Sequence, residues 1–192
     1  MSYFIILKDH IRITHSARVV LDYTEMSKTV GDYQLKEKIG KGSYADVYKG
    51  THKVTGVKYA IKAISKDILS EPKLLAGLES EIKIMREFSH ENIVGLHEYF
   101  SSEKNFYLVL ELCEGGDLSK FIKKKKRLDE RLAHKFLAQI TSGLAFLHEK
   151  DFIHRDLKPA NVLLNEFSDN ATLKLADFGF ARQLTVASLA QT

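Results

Sequence analysis

The order of elements along this chain is five short strands with one helix among them, followed by helices alone. It predicts an α+β fold in two segregated lobes. Three observations support this. Runs rich in β-branched and aromatic residues recur between Tyr33 and Leu110. One stripe of apolar residues at three- and four-residue spacing, Leu75, Leu78, Ile82 and Met85, interrupts them as an amphipathic helix would. Beyond Gly115-Gly116 the spacing turns helical, which marks those glycines as a linker between the lobes.

Residues 1–31 carry no motif and form an N-terminal extension. Its apolar run Tyr3-Phe4-Ile5-Ile6-Leu7 is too short for a signal-peptide core, and no basic residue precedes it. Met26 opens a stretch that runs directly into the patterned region and is read as the native start, with a docking arm as the alternative use of what precedes it. Strands are expected at Tyr33–Ile39, Val47–His52 and Val57–Ile64, with Gly56 turning the chain between the last two. The striped helix follows, and then strands at Val94–Phe100 and Phe106–Leu110. A short helix is expected near Leu118–Lys125 and a long one near Glu130–His148. In the latter, Leu132, Phe136, Ile140 and Leu144 recur every four residues and Leu137 and Leu147 widen the apolar face.

Composition narrows the function classes. An apolar share of 44% in 192 residues suits a packed domain. The net charge of +4 implies no nucleic-acid partner. The five basic residues Lys123–Arg127 read as a solvated loop after a helix, with a patch for an acidic partner or nuclear import as the alternative. The single cysteine, Cys113, excludes an internal disulfide and suits a reducing compartment. No apolar run approaches the roughly 18 residues of a membrane helix, so a soluble intracellular protein is expected.

The chemistry concentrates in two motifs. His154-Arg155-Asp156-Leu157-Lys158-Pro159-Ala160-Asn161 is followed sixteen residues after Asn161 by Asp177-Phe178-Gly179. Together they supply a carboxylate, an ammonium, an amide and a second carboxylate. Phosphoryl transfer needs such groups to orient a hydroxyl, offset phosphate charge and ligate Mg²⁺ through oxygen. Asp156 near its ordinary pKa is a poor base, so positioning is expected to outweigh proton abstraction. Upstream, Ile39-Gly40-Lys41-Gly42-Ser43-Tyr44-Ala45-Asp46-Val47 links the first two strands. Its glycines let backbone N–H groups approach phosphate oxygens, although a plain hairpin turn would be spelled similarly. Lys62 lies in the apolar strand Ala60-Ile61-Lys62-Ala63-Ile64 and needs a partner unless its ammonium snorkels to water. Glu81 on the striped helix is the candidate, with Glu79 on another face of that helix.

These motifs resemble those of eukaryotic protein kinases from about Asp32 onward. Lys158, two residues after Asp156, is the serine/threonine form. Ala45 stands where kinases usually carry a third loop glycine. The runs Glu81–Met85, His90–Val94, Cys113–Leu118 and Ala176–Arg182 resemble the unc-51-like (ULK) kinases that initiate autophagy. The resemblance implies a bilobal kinase-like fold. Residues 32–113 would form the small lobe, a five-stranded antiparallel sheet with one helix, and the hinge. Residues 114–192 would form an incomplete helical large lobe that stops inside the activation loop.

The resemblance further implies ATP and Mg²⁺ as cofactors, proteins with serine or threonine as substrates, autophagy scaffold proteins as partners and a cytoplasmic location. It assigns Asp156 to the incoming hydroxyl, Lys158 to the γ-phosphate, Asn161 and Asp177 to the metal, and Lys62, held by Glu81, to the α- and β-phosphates. Ile39, Val47, Ala60 and Leu163 would enclose the purine, Glu111 and Cys113 would bind adenine through their backbone, Leu110 would bound the pocket and Asp117 would meet the ribose. Met85, Leu96, His154 and Phe178 would stack between the lobes. Arg155 would read phosphorylation of Thr185, Ser188 or Thr192. The early stop implies apolar surface left open on the long helix, weak nucleotide binding and little protein turnover, as in a fragment, an incomplete gene model or a truncated isoform. A non-catalytic nucleotide-binding or decoy module is the alternative to a working kinase. A small-molecule kinase fits the Lys158-Pro159 context less well.

Overall fold

A computed structural model describes residues 28–42, 45–70, 72–178 and 181–183. Residues 1–27, with Met26, lie outside them, as do Ser43, Tyr44, Gly179, Phe180, Thr185, Ser188 and Thr192. The small lobe is a sheet of β1 (Thr29–Val30), β2 (Tyr33–Lys41), β3 (Ala45–His52), β4 (Lys58–Ser65), β5 (Leu96–Ser101) and β6 (Asn105–Glu111). Its order is β1-β2-β3-β4-β6-β5, antiparallel throughout. Five of these strands are the expected ones. The sixth, β1, comes from the segment read as motif-free, because two residues are too few to show a period of two.

Alternation along β4 sorts its side chains. Ile61 packs with Tyr33, Leu35, Tyr107 and Val109 on one face. Ile64 packs with Leu78 and Leu108 on the other, toward α1 (Pro72–Glu87). Lys62 shares the Ile64 face because strand side chains alternate. The buried positions of α1 are Leu78, Glu81, Ile84 and Met85, and Phe88 just past its end is buried too. Ile82, expected on the core stripe, is only half-buried, and Ile84 takes its place.

The large lobe begins with β7 (Gly116–Asp117), α2 (Leu118–Lys125) and α3 (Glu130–Glu149). The Asp117 and Asp129 carboxylates accept from the backbone N–H groups of Lys120 and Leu132 and cap α2 and α3. Further short strands are β8 (Phe152–Ile153), β9 (Val162–Leu164), β10 (Leu173–Leu175) and β11 (Arg182–Gln183). They pair as β10-β9-β7 and β11-β8. On α3, Leu132, Phe136 and Leu147 are buried, but Leu137 is 61% exposed. One residue turns a helix by about 100°, so the neighbour of a core position leaves the core face. The basic run Lys123–Arg127 is exposed, and Lys125 pairs with Asp169 at 2.6 Å.

Two glycines at the lobe junction differ in what they supply. Gly116 has φ +74° and open space around it. Gly115 has no positive φ, but a Cβ there would lie 2.3 Å from the Glu166 carbonyl oxygen. The pair read as a linker is thus one turn residue and one packing residue.

A second junction joins the lobes. The segment after α1 is bonded to β10 like another strand. Leu175 N–H donates to Asn92 O at 2.9 Å and Val94 N–H donates to Leu175 O at 3.0 Å. The buried Asn92 amide donates to Leu173 O at 2.9 Å and to Gln139 Oε1 of α3 at 3.2 Å.

Candidate active site

The cleft is built where β3, β4 and α1 face the segments 154–161 and 176–178. Val47 and Lys62 are directly paired across β3 and β4, which brings the glycine turn beside the lysine. Lys62 Nζ lies 2.7 Å and 2.9 Å from Glu81 Oε1 and Oε2 and 3.8 Å from Asp177 Oδ1. Glu79 is exposed and apart from this pair. Burial, the largest single influence, pulls the Lys62 ammonium down, but the Glu81 and Asp177 charges together outweigh it and raise the group overall.

A second cluster centres on Asp156. Lys158 Nζ donates to its two carboxylate oxygens at 3.0 and 2.8 Å. Asn161 Nδ2 donates to the Asp156 carbonyl at 2.8 Å and to Oδ2 at 2.9 Å. The hydrogen bond from Lys158 is the main reason the Asp156 carboxyl is held below its ordinary range, with Asn161 adding to it against the cost of desolvation.

Backbone and imidazole bonds join the clusters. Asp156 N–H donates to His154 Nδ1 at 3.3 Å, and the other ring nitrogen bonds to Ala176 O at 3.0 Å. Ala176 N–H returns to Asn161 O at 2.9 Å. The circuit fixes the residue before Asp177 against Asn161. His154 is buried, with its ring centroid 5.2 Å from that of Phe178, and Met85, Phe178 and Leu96 share the adjoining core. Arg155 and Asp177 have φ of 62° and 64°. Left-handed backbone at two non-glycine residues flanking one cleft is strain of the kind retained at working sites.

The donor set suits Mg²⁺. Asn161 commits its amide nitrogen to Asp156, so its side-chain carbonyl oxygen is the atom that could ligate a cation. Asp177 supplies a carboxylate whose side chain is 47% exposed. A hard cation that keeps several waters and bridges phosphates needs no more protein oxygens than these two. Among the described residues no group of three or more His, Cys, Asp or Glu side chains forms a metal cage.

The remaining residues fall around this centre with differing commitments. Gly40 and Lys41 pair with Val47 and Asp46, and Gly42 N–H donates to Ala45 O at 2.8 Å. The Asp46 carboxylate is taken up by Lys38 at 2.5 Å, which lowers its pKa. The Asp117 carboxylate caps α2 and pairs with Lys120 at 2.8 Å. Each carboxylate thus has a short-range partner of its own, which the sequence does not display. Ala60 is buried, Val47 and Leu163 are half-buried and Ile39 is 44% exposed. Leu163 pairs with Asp117 across β9 and β7. Leu110 pairs with Ala60 across β6 and β4. Burial, and then the nearby Glu111 charge, push the Cys113 thiol up to about 12, so it behaves as a small hydrophobe. Lys174, whose ammonium reaches Glu111, has no place in the sequence reading. The signal was there in the same form as at Lys62, a lysine between two core leucines.

Comparison with known proteins is consistent with this geometry. The protein kinase domain model matches residues 33–192. Serine/threonine-protein kinase ATG1a of Arabidopsis thaliana is 44% identical over 168 residues, covering 88% of this chain and 27% of that protein. Serine/threonine-protein kinase atg1 of Dictyostelium discoideum is 44% identical over 170 residues, covering 86% and 25%. Serine/threonine-protein kinase ULK1 of Homo sapiens is 39% identical over 175 residues, covering 86% and 16%. The chain therefore spans about a quarter or less of the length of these relatives.

Proposed function

This chain belongs to the protein kinase family, and from that premise we propose that its cleft transfers the γ-phosphate of ATP to serine or threonine hydroxyls of proteins. The observation that carries this reading is the joining of Lys62, Glu81 and Asp177 to Asn161 and Asp156 through Ala176 and His154. Likeness to the ATG1 and ULK kinases extends the proposal to autophagy initiation, with scaffold proteins as partners and a cytoplasmic location. Among the described residues no helix is long and apolar enough to cross a membrane.

Each residue then has a task. Lys62, oriented by Glu81, meets the α- and β-phosphates, beside the turn from Ile39 to Val47. Ile39, Val47, Ala60 and Leu163 hold the purine, against the backbone of Glu111 and Cys113. Asn161 and Asp177 would hold Mg²⁺, which would supply positive charge to offset that of the phosphates. Asp156 orients the hydroxyl, and Lys158, already beside it, offsets negative charge on the moving phosphoryl group.

Purified chain with Mg·ATP and a generic basic protein is expected to show phosphate transfer that Asp177→Ala and chelation of the metal both abolish. Thermal stabilisation by Mg·ATP without transfer would leave a nucleotide-binding module and overturn catalysis. Transfer that survives Asp177→Ala would overturn the site.

The pH profile separates orientation from proton abstraction. Asp156 has its pKa depressed by Lys158, so its charge is present above the ordinary value near ~3.9 and is lost only as pH falls through the lowered value. The plot of log kcat/KM against pH is therefore expected to show no acid limb from Asp156 above about pH 5. A limb near pH 6 that moves upward in Lys158→Met would mean that a titrating Asp156 takes the proton.

A further inference from the structure

Lys174 projects from β10 between Leu173 and Leu175, both of which are buried. Its own side chain is 12% exposed. Its partners fix where that side chain ends. The ammonium lies 2.9 Å from Glu111 Oε1 at the end of β6, and it donates to the Glu91 carbonyl at 2.9 Å. The other Glu111 oxygen accepts from Gly95 N–H at 3.3 Å, while Glu111 N–H donates to Gly95 O at 2.9 Å. One cation thus ties three segments: a large-lobe strand, the loop after α1, and the last residue of β6 before the chain passes between the lobes.

We infer that Lys174 is a positioning residue, which through the Glu111 side chain fixes the angle at which the backbone of Glu111 to Cys113 is presented to a nucleotide. This rests on the kinase reading for its ligand but not for its geometry. The Glu111 side chain is turned to Lys174 and its N–H to Gly95 O, so its carbonyl is the group left for adenine. This ammonium joins the end of the small-lobe sheet to a large-lobe strand. Without it the junction samples more orientations, and binding weakens by the fraction of time the competent one is lost.

The test uses the full chain as Lys174→Met, Glu111→Met, the double variant and Lys174→Arg. The Kd for Mg·ATP is expected to rise about 3- to 10-fold in each Met variant. The double variant should be no worse than either single one, and Lys174→Arg should recover most of the loss. The transfer rate at saturating ATP should change less than KM. Hydrogen exchange at Glu111 and Gly95 N–H should quicken in the Met variants. Unchanged nucleotide affinity in folded Lys174→Met would overturn the inference, as would additive losses in the double variant. If the unsubstituted chain binds no Mg·ATP, the kinase reading fails by itself. Exchange at Glu111 and Gly95 then decides: faster exchange supports the positioning, and unaltered exchange overturns it. Should Lys174→Met fail to fold, Glu111→Met reads the same tie from its other end.

Discussion

Lys62→Met is expected to abolish phosphate transfer and also to remove about 3–5 kcal/mol of folding stability. The second effect is set by Glu81, whose side chain is 5% exposed and whose ammonium partner is 2.7 Å away. With that partner gone, a carboxylate is left in the core with nothing to offset its lost hydration. Glu81→Met should cost less, because Asp177 stays 3.8 Å from the lysine. The double variant Lys62→Met, Glu81→Met should regain much of the stability while transfer stays lost, since well-packed apolar groups replace a buried pair at little cost. Urea denaturation of the four proteins measures this. A double variant as unstable as Lys62→Met would mean that the penalty comes from packing around the strand and not from a stranded charge.

Gly115→Ala is expected to destabilise the fold by on the order of 3 kcal/mol. The new methyl would lie 2.3 Å from Glu166 O, 2.4 Å from its carbonyl carbon and 2.7 Å from Leu164 Cβ. Backbone cannot step aside as a flexible side chain can. It is also held there, because Gly115 N–H donates to Leu164 O and Glu114 N–H to Asn165 O, both at 3.0 Å. The adjacent Gly116→Ala meets no atom within 4 Å and should cost only the left-handed backbone penalty of about 1 kcal/mol. Denaturation midpoints that fall equally for the two variants would contradict the close-contact account.

The legible parts of this molecule were those with long periods or improbable spelling. Strands of six to nine residues and the helices at Leu118 and Glu130 showed themselves through repetition. Lys62 and Glu81 showed themselves because a cation in an apolar strand demands an anion. What went unread was short or locally ambiguous. The strand pairs of two or three residues, such as Gly116–Asp117 with Leu163–Leu164, have no room for a repeat. Glu81 occupies a core position of α1, so the true stripe was interrupted by a charge and Ile82 was read into it in place of Ile84. Leu137 looked like core because apolar residues cluster around it, yet rotation about the helix carries it outward. Asp46 and Asp117 spell the same whether they meet a ligand or Lys38 and Lys120.

The bonds from Asn92 and Val94 to Leu175 have a consequence for anyone dissecting the molecule. A scissile point chosen between Cys113 and Glu114 would follow the primary structure and still cleave across a shared ladder. Each piece would carry off half of a set of amide pairs, and Asn92 would lose the carbonyl it caps. Recombinant halves should therefore be sticky and soft when made separately, and should regain order on mixing.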